Sequence, residues 1–276
     1  MNPVKVNNSS DLYEAQPVTF ETLRIAREFT RSVAEVKLYS AQYPEDLSMV
    51  PEYVQSTPNL ERSILDIAPF NKNRKLPLIK DILDRLYESS NADYFIYTNV
   101  DIALQPYFYL TIMGIIKKGY DAFTVNRRTI SKTFKQKQLT EMFAAVGEAH
   151  PGHDCFVFNR DLYSKFNFGT VCIGADWIGR TMLANLICHS RKFKTFENKH
   201  LTFHLGDDRT WKVPIYNDYS EHNKKELHKI LLTYESAGLM NGHPIPEEYL
   251  RKTESSKLRK KTFFFSLKKF FSKHST

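Results

Sequence analysis

Residues 92–106, ADYFIYTNVDIALQP, decide the fold. Tyr94, Phe95, Ile96 and Tyr97 are strand formers in an unbroken row, and the row reads as one buried strand. It ends on Thr98, Asn99, Val100 and Asp101, followed by apolar residues and Pro106. In an open α/β sheet, ligands bind just beyond the carboxyl ends of strands. An amide at Asn99 and a carboxylate at Asp101, two residues apart, fall on one side of an extended chain. Such an oxygen pair suits a hard divalent cation, often shared with a substrate diphosphate. The same residues also suit a turn-forming Asn and a helix N-cap Asp, so both readings stay open at this point.

Outward from this strand, helix and strand alternate. Residues 76–89 form an amphipathic helix, with Leu78, Ile79, Ile82, Leu83 and Leu86 at helical spacing. Upstream, residues 19–32 read as a helix capped by Thr19, with Phe20, Leu23, Ile25 and Ala26 as its apolar stripe. EVKLY at 35–39 reads as a short strand. Downstream come a helix at 107–118 and a strand at 121–126, then a strand at 154–158 and a helix at 175–190 with Asp176 in its first turn. Extended pieces at 193–196 and 200–205 and a helix at 220–238 follow. This alternation argues for α/β layering. Residues 1–16 read as a poorly ordered leader, 17–250 as the folded domain and 251–276 as a tail.

The net charge of +8 is concentrated at one end. Residues 251–276 hold nine Lys or Arg and one Glu, and the first 250 residues carry 30 groups of each sign. The body is neutral, so the charge gives no ground for reading it as a nucleic-acid binder. In the tail, Phe263, Phe264, Leu267, Phe270 and Phe271 fall at helical spacing with lysines around them. Residues 257–273 are therefore expected to lie as an amphipathic helix on an anionic membrane surface. There is no apolar run long enough to span a bilayer and no secretory signal pattern. Cys155, Cys172 and Cys188 match no disulfide or zinc framework. These features predict a cytoplasmic protein, peripheral at the inner face of a membrane.

Three further segments carry candidate chemistry. In His150-Pro151-Gly152-His153-Asp154, the histidines suit either metal ligation or a turn, and Asp154 opens an apolar strand where an unpaired carboxylate is costly. In Gly174-Ala175-Asp176-Trp177, a carboxylate beside an indole makes a sugar platform with an acceptor atom. Asp154 and Asp176 are both candidate general bases. In HLTFHLGDDRTW, 200–211, His200 and His204 share one face of an extended chain. Arg209 offers a fork for phosphate oxygens, and Trp211 is a second substrate-binding aromatic.

The order of these elements resembles that of GT-A-fold glycosyltransferases, which bind nucleotide-diphospho-sugars. The 76–89 helix, the strand ending in TNVDI and the later HPGHDCFVF strand carry the resemblance, with HLGDDRTW similar to a late His-Gly-Lys-Trp motif of retaining members. It implies a GT-A-like (Rossmann-like) mixed sheet flanked by helices, followed by the basic amphipathic tail. It also implies a divalent metal, Mn²⁺ or Mg²⁺, bound by Asp101 and His204. The donor would be held by Asn99, Asp101 and Arg209, and a glycan or lipid-linked acceptor would lie near Asp154, Asp176 and Trp177. Asn99 stands where the family's Asp-x-Asp motif has its first acid. A catalytically inactive sugar- or nucleotide-binding module, or a peripheral membrane adaptor, is the alternative.

Overall fold

The computed structural model describes residues 1–207, 213–240 and 242–254. Arg209, Trp211 and the tail at 257–273 lie outside the described residues. The chain opens with helix α1 (Leu12–Thr30), then strand β1 (Tyr39–Ser40), strand β2 (Gln55–Ser56) and helix α2 (Ile79–Ser89). Next come β3 (Tyr94–Thr98), β4 (Ala103–Leu104), α3 (Phe108–Lys117), β5 (Ala122–Val125) and β6 (Arg128–Ile130). A short α4 (Leu139–Ala144) and β7 (Glu148–Ala149) lead to β8 (Cys155–Asn159) and α5 (Ile178–His189). The order ends with β9 (Phe193–Phe196), β10 (Thr202–Leu205), α6 (Asn217–Ser236) and α7 (Pro244–Thr253).

The main sheet has the order β3-β8-β5-β9. β8 is antiparallel to both neighbours, and β5 and β9 are parallel. The carboxyl ends of β3, β5 and β9 therefore share one edge with the amino end of β8. Thr98 and Val125 both stand opposite Cys155 there. A smaller sheet, β4-β10-β6-β7, runs β10 parallel to β6.

Helices cover both faces of the main sheet. Phe95, Tyr97, Phe156 and Phe158 pack with Ile79, Ile82 and Leu83 of α2 and with Met182 and Leu186 of α5. Cys155, Val157, Phe123 and Val125 pack on the opposite face with α1 and α3. This explains why β8 reads as a continuous apolar run: each alternate side chain meets a helix layer. Phe158 is fully buried, which contributes about 1.5–3 kcal/mol relative to an exposed side chain.

Several expectations need correction. Residues 1–16 are not a loose leader, because Asn2 donates to Ala41 O, Val4 N to Gln16 Oε1 and Lys5 N to Asp46. α1 begins at Leu12, where Asp11 caps the first N–H, and it accommodates Pro17 in its interior. The strand expected at 35–39 is regular only at Tyr39–Ser40. α7 runs across the domain boundary expected at 250, and buried Thr253 bonds His228. The cysteines are free and buried. Among the described residues, no helix is long and apolar enough to cross a membrane.

Candidate functional site

The turn after β3 closes with Ile102 N donating to Asn99 O at 3.2 Å. Asn99 is exposed, and its Oδ1 accepts from the Tyr97 hydroxyl at 3.4 Å. Asp101 points inward. Its Oδ2 lies 3.2 Å from His204 Nε2 on β10, although 103 residues separate them. His204 Nδ1 faces Gly206 O at 2.6 Å. Because a carbonyl and an ionised carboxylate both only accept, Nδ1 donates to Gly206 O and Nε2 donates to Asp101, so the ring that makes both bonds is the imidazolium.

Burial pushes the His204 imidazole down, but the hydrogen bond and charge of Asp101 outweigh it and leave its pKa raised. Burial likewise pushes the Asp101 carboxyl up, and the bond to His204, its charge and that of Arg127 outweigh it, leaving the carboxyl below its ordinary value. Among the described residues the buried Asp101 Oδ1 has no hydrogen-bond partner. Gly206 holds φ at +73°, a left-handed conformation that suits glycine and lets its carbonyl turn back onto His204.

Beside this pair stands a second polar cluster centred on Arg127, two residues past the end of β5 and directly before β6. Arg127 Nη1 donates to Asp154 Oδ1 at 2.9 Å, and Nη2 to Asp207 Oδ1 at 3.0 Å. The Thr98 hydroxyl donates to Asp154 O at 3.1 Å, which ties β3 to the start of β8. His150 joins the cluster, with Nε2 3.4 Å from Arg127 Nη2. His153 turns instead to Thr124 Oγ1 at 3.3 Å, and burial lowers its pKa.

Asp176 and Trp177 reach the same edge through the start of α5. A Cβ on Gly179 would lie 3.2 Å from His153 O, so the helix start abuts the 150–154 loop. Trp177 caps α5 with φ at 75°, held by its N–H donating to Asp176 Oδ1 at 2.8 Å. Arg180 Nη1 also donates to Asp176 Oδ1, at 3.1 Å, and its guanidinium lies 4.4 Å from the indole centre.

The sheet edge thus gathers Asn99, Asp101, His204 and Asp154, with Asp176 and Trp177 beside them. His200 does not join. It sits before β10 with φ at 48°, and its Nε2 lies near Gln105 Nε2 and Ala145 O. The face shared with His204 is lost because the chain is not extended at His200. Arg127 and Asp207 escaped the sequence reading. Arg127 was findable by the rule that singled out Asp101, because it follows a strand at the carboxyl edge.

The donors at Asp101 and His204 fit a divalent cation. Among the described residues one Asp101 oxygen has no hydrogen-bond partner, and once Nε2 gives up its proton to a cation, the Nδ1–H···O=C bond is the orientation that a metal-binding imidazole receives from its surroundings. Among the described residues, no cluster of three or more His, Cys, Asp or Glu surrounds a common point.

No family model and no curated protein matches the chain. Solved structures do match in shape. The S. aureus TarS 1–349 complex with UDP-GlcNAc has TM-score 0.48 and 6% identity, covering 82% of this chain and 65% of that one. The UDP complex of the same fragment gives TM-score 0.48 and 6% identity over 82% of this chain and 64% of that chain. A longer S. aureus TarS structure gives TM-score 0.45 and 6% identity over 82% of this chain and 38% of its own. The chain thus spans about 65% of the first matched structure's length. At these values the likeness carries no argument about function.

Proposed function

We propose that this chain is a glycosyltransferase that takes a nucleotide-diphospho-sugar donor and moves the sugar to a glycan or lipid-linked acceptor, with a divalent cation. One observation carries the reading: the Asp101 carboxylate and the His204 imidazole meet at 3.2 Å where a sheet strand ends. Asp101 and His204 would hold the cation, and an oxygen–nitrogen pair favours Mn²⁺ over Mg²⁺. When bound, such a cation neutralises negative charge on a departing nucleoside diphosphate. Asn99, exposed beside Asp101, would contact the donor, as would Arg209 with its fork for phosphate oxygens.

On the acceptor side, the surroundings divide the two candidate bases. The Asp154 side chain is 12% exposed and spends one oxygen on Arg127. Asp176 also spends one oxygen, on Arg180 and Trp177 N, but it is 34% exposed and lies next to Trp177. A general base must meet an incoming hydroxyl, which favours Asp176. Arg127 and Asp154 then serve as the brace that fixes the sheet edge. Trp177 supplies an apolar ring, with Arg180 and Lys224 over it at 4.4 and 5.8 Å.

Asn99, in place of the acid that the resembled motif carries, favours a second reading: a module that binds the donor without turning it over. Donor hydrolysis with a panel of nucleotide-sugars, with and without Mn²⁺, separates the two. Mn²⁺-dependent release of nucleoside diphosphate supports the transferase. Calorimetric binding without release supports the module, and neither binding nor release refutes both.

A further inference from the structure

Between β1 and β3 the sheet is interrupted. Among the described residues, β1 pairs only with β2, and β3 only with β8. A cavity of about 510 Å³ separates them, walled by residues 34–41 on one side and 90–98 on the other. Ile82, Leu83 and Leu86 of α2 also line it, as do Leu23 of α1 and Tyr109 of α3. Two strand edges and two helix layers therefore bound it. That is the shape of one missing strand in a sheet covered on both faces.

The strand edges present hydrogen-bonding groups to this cavity. Arg160 N donates to Asp93 O at 2.9 Å, and Tyr94 stands opposite Asn159. Bonded and non-bonded pairs alternate in an antiparallel ladder, so Phe95 and Tyr97 bond to β8. Tyr94, Ile96 and Thr98 accordingly turn their backbone groups toward the cavity. On β1, Leu38 O and Ser40 O accept from Gln55 N and Thr57 N of the β2 segment, which leaves Tyr39 and Ala41 facing the other way.

Met1 already occupies the end of the cavity. Its nitrogen donates to Tyr39 O at 3.4 Å, and its carbonyl accepts from Ala41 N at 3.0 Å. One residue bracketed in this way by the two neighbours of Ser40 has the bonding that a residue of a parallel strand would have. Met1 is thus placed as an interior residue of a strand beside β1. Its amine is buried, and burial lowers its pKa to about 6. An amide N–H at the same atom would make the same bond to Tyr39 O with no charge to desolvate.

We infer that the cavity is a strand-acceptor site, filled by an extended apolar segment of polypeptide joined to the Met1 nitrogen and running parallel to β1. About five residues at 3.3 Å each would lie beside 35–39. Their side chains would meet α2 on one face and α1 and α3 on the other, so both alternating sets must be apolar. The added strand would join the β1–β2 pair to the main sheet and brace β3, whose end carries Asp101. None of this depends on the function proposed above.

The test compares three forms of the full chain: one beginning at Met1, one preceded by about six residues of Val, Ile and Phe, and one preceded by a Gly-Ser segment of equal length. The apolar form is expected to have a raised Tm and amide exchange at Ile96 and Thr98 slowed at least about tenfold. The Gly-Ser form is expected to match the chain beginning at Met1. Unchanged Tm and exchange in the apolar form would overturn the inference. Protection by the same apolar peptide added free, but not when fused, would assign the site to a separate chain and overturn the attachment through Met1.

Discussion

Arg127 bridges Asp154 and Asp207, donating from Nη1 to one at 2.9 Å and from Nη2 to the other at 3.0 Å. The first carboxylate opens β8 and the second follows β10, so one guanidinium ties the main sheet to the smaller one. A planar fork can serve two carboxylates at once, which a point-charge ammonium does less well. The Arg127–Asp154 side chains are 11% and 12% exposed, so water screens the pair little.

Arg127→Ala leaves Asp154 as an uncompensated, nearly buried charge. Breaking one side of such a pair costs about 3–5 kcal/mol. Urea unfolding at neutral pH should show the midpoint fall accordingly, and Arg127→Lys should restore only part of it. An unchanged midpoint for Arg127→Ala would show that the bridge is incidental.

Asp101→Asn should weaken Mn²⁺ binding measured by calorimetry. Even the loss of an outer-shell partner typically costs at least about tenfold in metal affinity, and a direct ligand should cost no less. His204→Gln should act in the same direction. If Mn²⁺ binds the parent chain and Asp101→Asn alike, the cation site lies elsewhere.

The two candidate bases should separate experimentally. Asp176→Asn keeps shape and removes basicity, so turnover should fall by about 10²-fold or more. Asp154→Asn should act mainly on stability, because its carboxylate answers Arg127. Equal, small effects on turnover from both would remove general-base catalysis from either residue.

What the sequence revealed follows from locality. The helix ending at Ser89 and strand β3 were legible because their apolar spacing is a property of neighbouring residues. The meeting of Asp101 with His204 was legible only through motif resemblance, since it depends on how β10 pairs with β4 and β6. Arg127 was overlooked because a lone arginine after a strand reads as surface charge until its carboxylates arrive from Asp154 and Asp207. His200 misled because spacing alone assumed an extended chain, whereas its φ of 48° turns it away. The docking of Met1 beside Tyr39 is a long-range pairing that no local pattern encodes.

In a chain beginning at Met1, burial holds the amine at a pKa of about 6, against an ordinary 8.0. Between those values the unfolded chain binds more protons than the folded one, so stability rises with pH across about 6 to 8 and levels off above. The whole difference is about 3 kcal/mol. Urea midpoints for free and N-acetylated chains should diverge as pH falls through this window, with the acetylated chain the more stable. Parallel curves would mean that the amine reaches water.

The tail at 257–273 should carry the chain to an anionic membrane. Phe263, Phe264, Leu267, Phe270 and Phe271 recur at helical spacing, and Lys260, Lys261, Lys268, Lys269 and Lys273 surround them. An aromatic face with a basic rim favours lying in the headgroup region over spanning the bilayer. Each basic residue near an anionic leaflet adds about 1 kcal/mol, so five suffice for attachment that weakens as salt is raised. Truncation belongs after Glu254, because α7 extends to Thr253 and a cut at 250 would remove its last turn. Co-sedimentation with anionic vesicles should retain the full chain and lose the truncated one, and neutral vesicles should retain neither strongly. Equal recovery of both chains in the anionic pellet would place the anchor in the body, and loss of both would remove membrane attachment from the account.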